Sequence, residues 1–167
     1  MNIQFRLAKD DDVPDMAKIH TRSVEACSKN IYPPGYLDKK ADIQEVFKRI
    51  IIEQKIITYI IENDLKPIGL LLFSPPNDND LDDTFYELIG LFIHPDYFRM
   101  GIGTLSMDFF IKKVHELGKK SAVVWVIDGN TNAMNFYKKC GFTADGKIKT
   151  HNADGKPINS IRMITQV

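Results

Sequence analysis

The chain has 167 residues, 44% hydrophobic and 26% charged, and its 22 Lys and Arg balance 22 Asp and Glu to a formal net charge of zero. That length suits one domain spanning 1–167 whose core needs neither disulfide nor metal, and the charge balance argues against a long-range field for nucleic acid or an anionic membrane, leaving only local basic patches open. With no apolar run of about 18 residues, no leader-like start, and two cysteines, Cys27 and Cys140, in neither a CxxC pair nor a framework, the expected setting is the cytoplasm with reduced thiols.

Residues Ile3 to Leu7 alternate apolar and polar, as a short half-buried strand does. KDDDVPDMAKIH then opens a helix, with acids in its first turn to favour the dipole and Pro14 tolerated there. The prolines of YPPGY, Tyr32 to Tyr36, dictate an ordered loop. A second helix is expected from Leu37 or Asp38 to about Gln54, with Ile43, Val46, Phe47 and Ile50 on one face. ITYIIEN and KPIGLLLFS are strands around the polar turn Asn63 to Lys66. PPNDNDLDD reads as a solvated loop and TFYELIGLFI as a long strand.

From Thr104 to Leu117 the spacing is helical, with Met107, Phe110, Val114 and Leu117 in a stripe and Gly118 as the stop. SAVVWVI is a buried strand whose Trp125 reads as core, and TNAMNFYKKCGF is a short helix ending at Gly141. Two last strands, about Phe142 to Thr150 and Ser160 to Val167, flank the turn-like NADGKP. Helices interleave with strands only in part. This predicts an α/β chain built on a mixed sheet with helices on both faces, not a doubly wound parallel one.

The stretch HPDYFRMGIGT, His94 to Thr104, joins the apolar run LIGLFI to a helix. A strand running through a glycine turn into a helix aims several unpaired N–H groups at one spot, where the helix dipole adds roughly half a positive charge. Such a corner suits a phosphate or pyrophosphate, and a side chain at Gly101 or Gly103 would hold ligand oxygens off the backbone. A Walker loop is excluded because no lysine follows Gly103, and GxGxxG fails because Ser106 stands at its third glycine.

What remains, HPxYxxxGxG between strand and helix, resembles the acyl-CoA pyrophosphate loop of the GNAT superfamily of N-acetyltransferases, with its Arg/Gln-x-x-Gly-x-Gly/Ala core. A second signature of that family, Asn-x-x-Ala-x-x-Phe-Tyr-x-x-x-Gly-Phe, is matched at Asn130, Ala133, Phe136, Tyr137, Gly141 and Phe142. The resemblance implies a central, mostly antiparallel, splayed sheet of about seven strands. It implies acetyl-CoA as co-substrate, bound by Leu91, Phe92 and Ile93 of the strand and by the loop residues Phe98, Arg99, Met100, Gly101, Ile102, Gly103 and Thr104. Asn130, Ala133, Phe136 and Tyr137 would complete that site. One departure stands out: Phe98 occupies the Arg/Gln position and the arginine, Arg99, lies one place later. The backbone amide of Phe98 is expected to serve regardless.

The reaction so implied is direct acetyl transfer to a primary amine. An alkylamine with a pKa near 10.4 needs a base, the acyl oxygen needs donors, and the thiolate must leave. The resemblance places backbone groups of Leu91 and Ile93 along the pantetheine arm and Tyr137 beside the sulfur as general acid. Glu87 resembles the glutamate base of some relatives, with a water relay as competitor; period-two counting puts it on a face with Ile89, Leu91 and Ile93 unless a bulge intervenes. His94 reads as part of a turn, and Cys140 as packing.

Asp78, Asp80 and Asp82 begin like a calcium loop, but Asp83 replaces the needed glycine and Ile89 the closing glutamate. Histidines and cysteines are too scattered for zinc. No metal, membrane or nucleic-acid partner is expected; the partner is a small-molecule or peptide amine, and a homodimer is left open. In relatives the acceptor pocket is walled by the segments that match CSKNIYPPGYLD and KTHNADGKPIN, where Tyr32 and Tyr36 either line a pocket or pack the loop. The competing reading is a CoA-binding sensor or interaction module with little catalysis.

Overall fold

The structure, a computed structural model, describes residues 1–28, 30–37 and 42–167. The chain runs β1 (Ile3–Leu7), a 3-10 turn at Asp10–Asp12, α1 (Val13–Ser28), α2 (Ile43–Glu53), β2 (Ile57–Asn63), β3 (Lys66–Ser74), β4 (Phe85–Ile93), a 3-10 turn at Pro95–Tyr97, α3 (Ile102–Glu116), β5 (Ser121–Ile127), α4 (Thr131–Lys139), β6 (Thr143–Ala153) and β7 (Lys156–Gln166). This is the order of strands and helices expected from the sequence.

Seven strands form one sheet in the order β1-β2-β3-β4-β5-β7-β6. Only β4 and β5 pair in parallel. Two hairpins turn on two residues with left-handed backbone, Asp64 and Leu65 (φ 50° and 66°) and Asp154 and Gly155 (φ 51° and 86°), the geometry that matches strand twist. NADGKP is therefore mostly strand, and its turn is the central pair.

The sheet is covered on both faces. Ile102, Met107, Phe110 and Val114 of α3 and Tyr137 of α4 join Ile61, Leu71, Phe73 and Leu88 in one core. Val13, Met16 and Ile19 of α1 and Phe47 of α2 join Ile60, Leu70 and Leu72 in the other. Leu117, expected in the α3 stripe, is 46% exposed because the helix has ended before it.

Local chemistry sets the helix starts. The Asp12 carboxylate does more than favour a dipole: it accepts from Lys9 N–H (2.7 Å) and from both Nη atoms of Arg6 (2.8 Å each). Arg6 Nε also donates to Glu62 (2.7 Å), so β1, β2 and the entry to α1 are tied at one guanidinium. Asp42 caps α2 through Gln44 N–H, so that helix begins at Ile43 and not at 37 or 38; residues 38–41 lie outside those described. Likewise α3 begins at Ile102, two residues before the sequence pattern indicates, because Gly101 with φ 81° is its N-cap.

Candidate functional site

The β4–β5 pairing runs only from Phe85–Ser121 to Leu88–Val124, and then the strands part. The cause lies in β4. Leu72 pairs with Gly90 and Phe73 with Leu88, which leaves Ile89 as an extra, bulged residue. A bulge bends its strand and raises its twist. Beyond it, His94 N–H donates to Ile68 C=O (2.8 Å), and alternation along the ladder turns the main-chain groups of Phe92 toward β3. Those of Leu91 and Ile93 face the gap that β5 has left.

A cleft of about 790 Å³ occupies that gap and is lined by Leu91, Phe92 and Ile93, by Phe98, Arg99, Gly101, Gly103 and Thr104, and by Asn130, Ala133, Phe136 and Tyr137. The structure thus brings together most of the residues singled out in the two motifs. Ile102 is absent from the lining because its side chain is 1% exposed in the core. Met100 points elsewhere, 48% exposed. Asn130 has a structural task as well, capping α4 by accepting from Ala133 N–H (3.1 Å).

At the corner, no side chain caps α3. The amides of its first turn, Gly101 to Thr104, lack intrahelical acceptors, as at any helix start, and two of the four belong to glycines. The glycines differ in their reasons. Gly101 is in open space and needs its left-handed φ of 81°, whereas a Cβ on Gly103 would meet the Phe136 ring at 3.3 Å. At Gly103 a side chain would therefore crowd the Phe136 ring of α4. Phe98 departs from expectation: its N–H already donates to Pro95 C=O (3.0 Å), so it adds nothing to the unpaired amides. His94 heads that turn, its Nδ1 accepting from Asp96 N–H at 3.4 Å.

Tyr137 is 9% exposed, and burial pushes its phenol well above the usual value, with weaker contributions from Cys140 and Cys27. Among the described residues its hydroxyl has no hydrogen-bond partner and no enclosed side-chain oxygen is left unpaired, so it reaches the open space of the cleft. Cys140 closes α4 at its C-terminal end, half-buried, with its thiol likewise raised by burial.

Glu87 lies outside the cleft lining. It pairs with Ser74, on the α1/α2 face with Leu72, Gly90 and Phe92. Leu91 and Ile93 face α3 and α4 instead, so the bulge at Ile89 breaks the alternation that would have put all three together. Burial raises the Glu87 carboxyl, and the Asp78 charge adds to the shift.

The acidic loop between β3 and β4 is largely exposed, as expected, but Asp78 and Asp80 are bound to distant residues. The Arg162 side chain, 4% exposed, grips Asp80 with both Nη atoms (2.9 and 2.8 Å) and Asp145 with Nε (2.7 Å). Asp78 accepts from Trp125 Nε1 (3.0 Å) and pairs with Lys149 (2.7 Å), whose ammonium lies 4.0 Å from the centre of the Trp125 ring. These acids are engaged by protein cations, and among the described residues no cluster of His, Cys, Asp and Glu could hold a metal. Trp125 is not core either: it is half-buried and lines the cleft.

Residues 21–142 match the acetyltransferase (GNAT) family. The chain belongs to that family. Among curated GNAT-type relatives, it is 25% identical over 164 residues to the peptidyl-lysine N-acetyltransferase YjaB of Salmonella typhimurium, covering 98% of this chain and 99% of that one. It is also 25% identical over 166 residues to a probable N-acetyltransferase of Mycobacterium tuberculosis, covering 97% and 90%. In fold it matches the PaiA N-acetyltransferase of Thermoplasma acidophilum, solved in complex with coenzyme A, with a TM-score of 0.80, 18% identity and full coverage of both chains. YncA of Salmonella typhimurium, solved with acetyl-CoA, matches with a TM-score of 0.75, 17% identity and 99% and 94% coverage.

Tyr32, expected either to line a pocket or to pack its loop, lines the cleft, while the motifs of this GNAT chain do not register Ser23, Cys27, Trp125 and Lys139. None carries a spacing signal. Only the hydrophilic indole edge in an otherwise aliphatic VVWV strand hinted that Trp125 wants a polar partner.

Proposed function

We propose that this GNAT chain transfers an acetyl group from acetyl-CoA directly to a primary amine. The single observation that carries the reading is the uncapped, glycine-bearing start of α3 at one end of a cleft that passes through the β4–β5 split to the Tyr137 hydroxyl. Its chemistry fits the cofactor: unpaired amides at a helix N-terminus for the diphosphate, with Arg99 and Lys139 as the cations lining the cleft. Relatives solved with coenzyme A and acetyl-CoA have the same fold.

Acetyl-CoA supplies an activated acyl thioester. The gap-facing main chain of Leu91 and Ile93 would hold the pantetheine arm and give the acyl oxygen a fixed N–H donor, a device often worth about 3 kcal/mol in the barrier. Tyr137 Oη keeps its proton throughout the neutral range and can deliver it to the departing sulfur. Glu87, off the lining but on the α1/α2 face, would take the amine proton through water. Both thiols, Cys27 and Cys140, are raised by burial and poor in thiolate, which favours direct transfer over an acyl-enzyme.

Thiol release from acetyl-CoA, followed with a panel of primary amines, tests this. We expect saturable, amine-dependent release; tight CoA binding without turnover on any amine would leave only the second reading, a CoA-responsive binding module. The Phe98 amide, already bonded to Pro95, is the observation that favours that alternative.

A further inference from the structure

Past the thioester end, the cleft continues between the C-terminal part of α1 and the outer half of β5. Ser23, Val24 and Cys27 form one side, Trp125 and Ile127 the other, and Tyr32 the far end. None of these carries a charge. Among the described residues, those with charge that line the cleft are both cations, Arg99 and Lys139, and they belong to the α3 and α4 end. The nearest acid to Trp125 is neutralised: Asp78 is 7% exposed, held by the indole N–H and by Lys149.

The far end of this chamber is held in place by contacts between distant segments. Lys156 Nζ donates to Ile31 C=O (2.6 Å), and the Tyr32 ring stacks on Tyr36 at 5.1 Å and leans toward His151 at 6.1 Å. These contacts tie the loop that carries Tyr32 to the β6–β7 hairpin at the chamber's far end.

Trp125 is fixed in place by three contacts: Asp78 on its N–H, Lys149 on its ring, and Arg162 at 5.7 Å. A rigid aromatic wall offers area without an ordering cost. The reacting nitrogen can reach Glu87 through water, but a second ammonium entering here would lose its own water with no carboxylate left for it on the described lining. Lys149 already holds the cation position over the indole.

Resting on the acetyltransferase reading, we infer that the acceptor is a small monoamine on an uncharged, apolar or aromatic body seated against Trp125, and that di- and polycationic amines are excluded.

Trp125 is the single tryptophan of the chain, so its fluorescence reports the chamber without any need for turnover. The experiment titrates the 167-residue chain, with and without CoA, with 2-phenylethylamine and with spermidine. A saturable response to phenylethylamine, at an affinity at least about tenfold above that for spermidine, is expected. Introducing a carboxylate by Val24→Asp should narrow or reverse that preference. Equal or tighter binding of spermidine to the unaltered chain, or no saturable response to phenylethylamine under either condition, overturns the inference. Phenylethylamine that binds but releases no thiol removes the catalytic reading and leaves the chamber's selectivity standing.

Discussion

Tyr137 owes its proton to burial, and Glu87 owes its reluctance to ionise to burial and to Asp78. The two carry opposite consequences for pH dependence. A raised phenol stays protonated as an acid, so no falling limb from Tyr137 is expected below about pH 10. A raised carboxyl acts as a base only once ionised, so the rate should climb with pH through a value above the ordinary glutamate range. Glu87→Gln should abolish that climb in kcat/KM; an unchanged profile would assign the proton to water alone. The same shift bears on stability. A folded carboxyl raised above its unfolded value stabilises at low pH, and that contribution is lost as pH rises through the folded pKa. Glu87→Gln should therefore raise the unfolding midpoint at pH 7 while impairing activity. Tyr137→Phe should lower kcat about 100-fold, with KM for acetyl-CoA nearly unaltered; kinetics within twofold of the unaltered protein would end the acid role.

At the scale of elements, the loop between β3 and β4 behaves as a clamped strap. Arg162 of β7 holds Asp80 of the loop and Asp145 of β6, and both carboxyls are pushed down by it. Lowered carboxyls stabilise above their unfolded pKa and lose that contribution as pH falls through the folded values, so the clamp fails only in strong acid. Arg162→Ala should lower the unfolding midpoint by several degrees at pH 7 and blunt the loss on acidification. Through Asp78 it should also loosen Trp125, raising KM for the amine more than KM for acetyl-CoA. Pattern alone could not foresee this. The acids of NDNDLDD and the cations of β6 and β7 are more than 60 residues apart, and composition cannot tell an acid facing water from one facing a distant arginine. Helix starts are hidden for a related reason: Asp42 and Gly101 act through cap geometry, which hydrophobic spacing does not register. What spacing does register is the order of the strands and helices, and the glycine corner with the α4 motif that lines the same cleft.

On the scale of the whole molecule, the cofactor would join α3, α4, β4 and β5, elements that belong to one core. A ligand binding the folded chain alone stabilises by about 2.7 kcal/mol at a hundredfold excess over Kd. For a chain of this size that corresponds to roughly 5–10 °C in Tm. CoA should produce such a shift in a thermal melt, while ATP and NAD at equal concentration should not. A shift of the same size with all three would point to a general anion site.

The surplus residue at Ile89 has a consequence for affinity. Because a local miscount in β4 releases it from β5, the gap is built into the resting backbone and is not wedged apart by an incoming molecule. No hydrogen-bonded ladder between these strands has to be unzipped first, so opening the gap adds no cost to binding. Excising that one residue should let the two strands close like a seam, leaving a well-folded chain that has forgotten its cofactor.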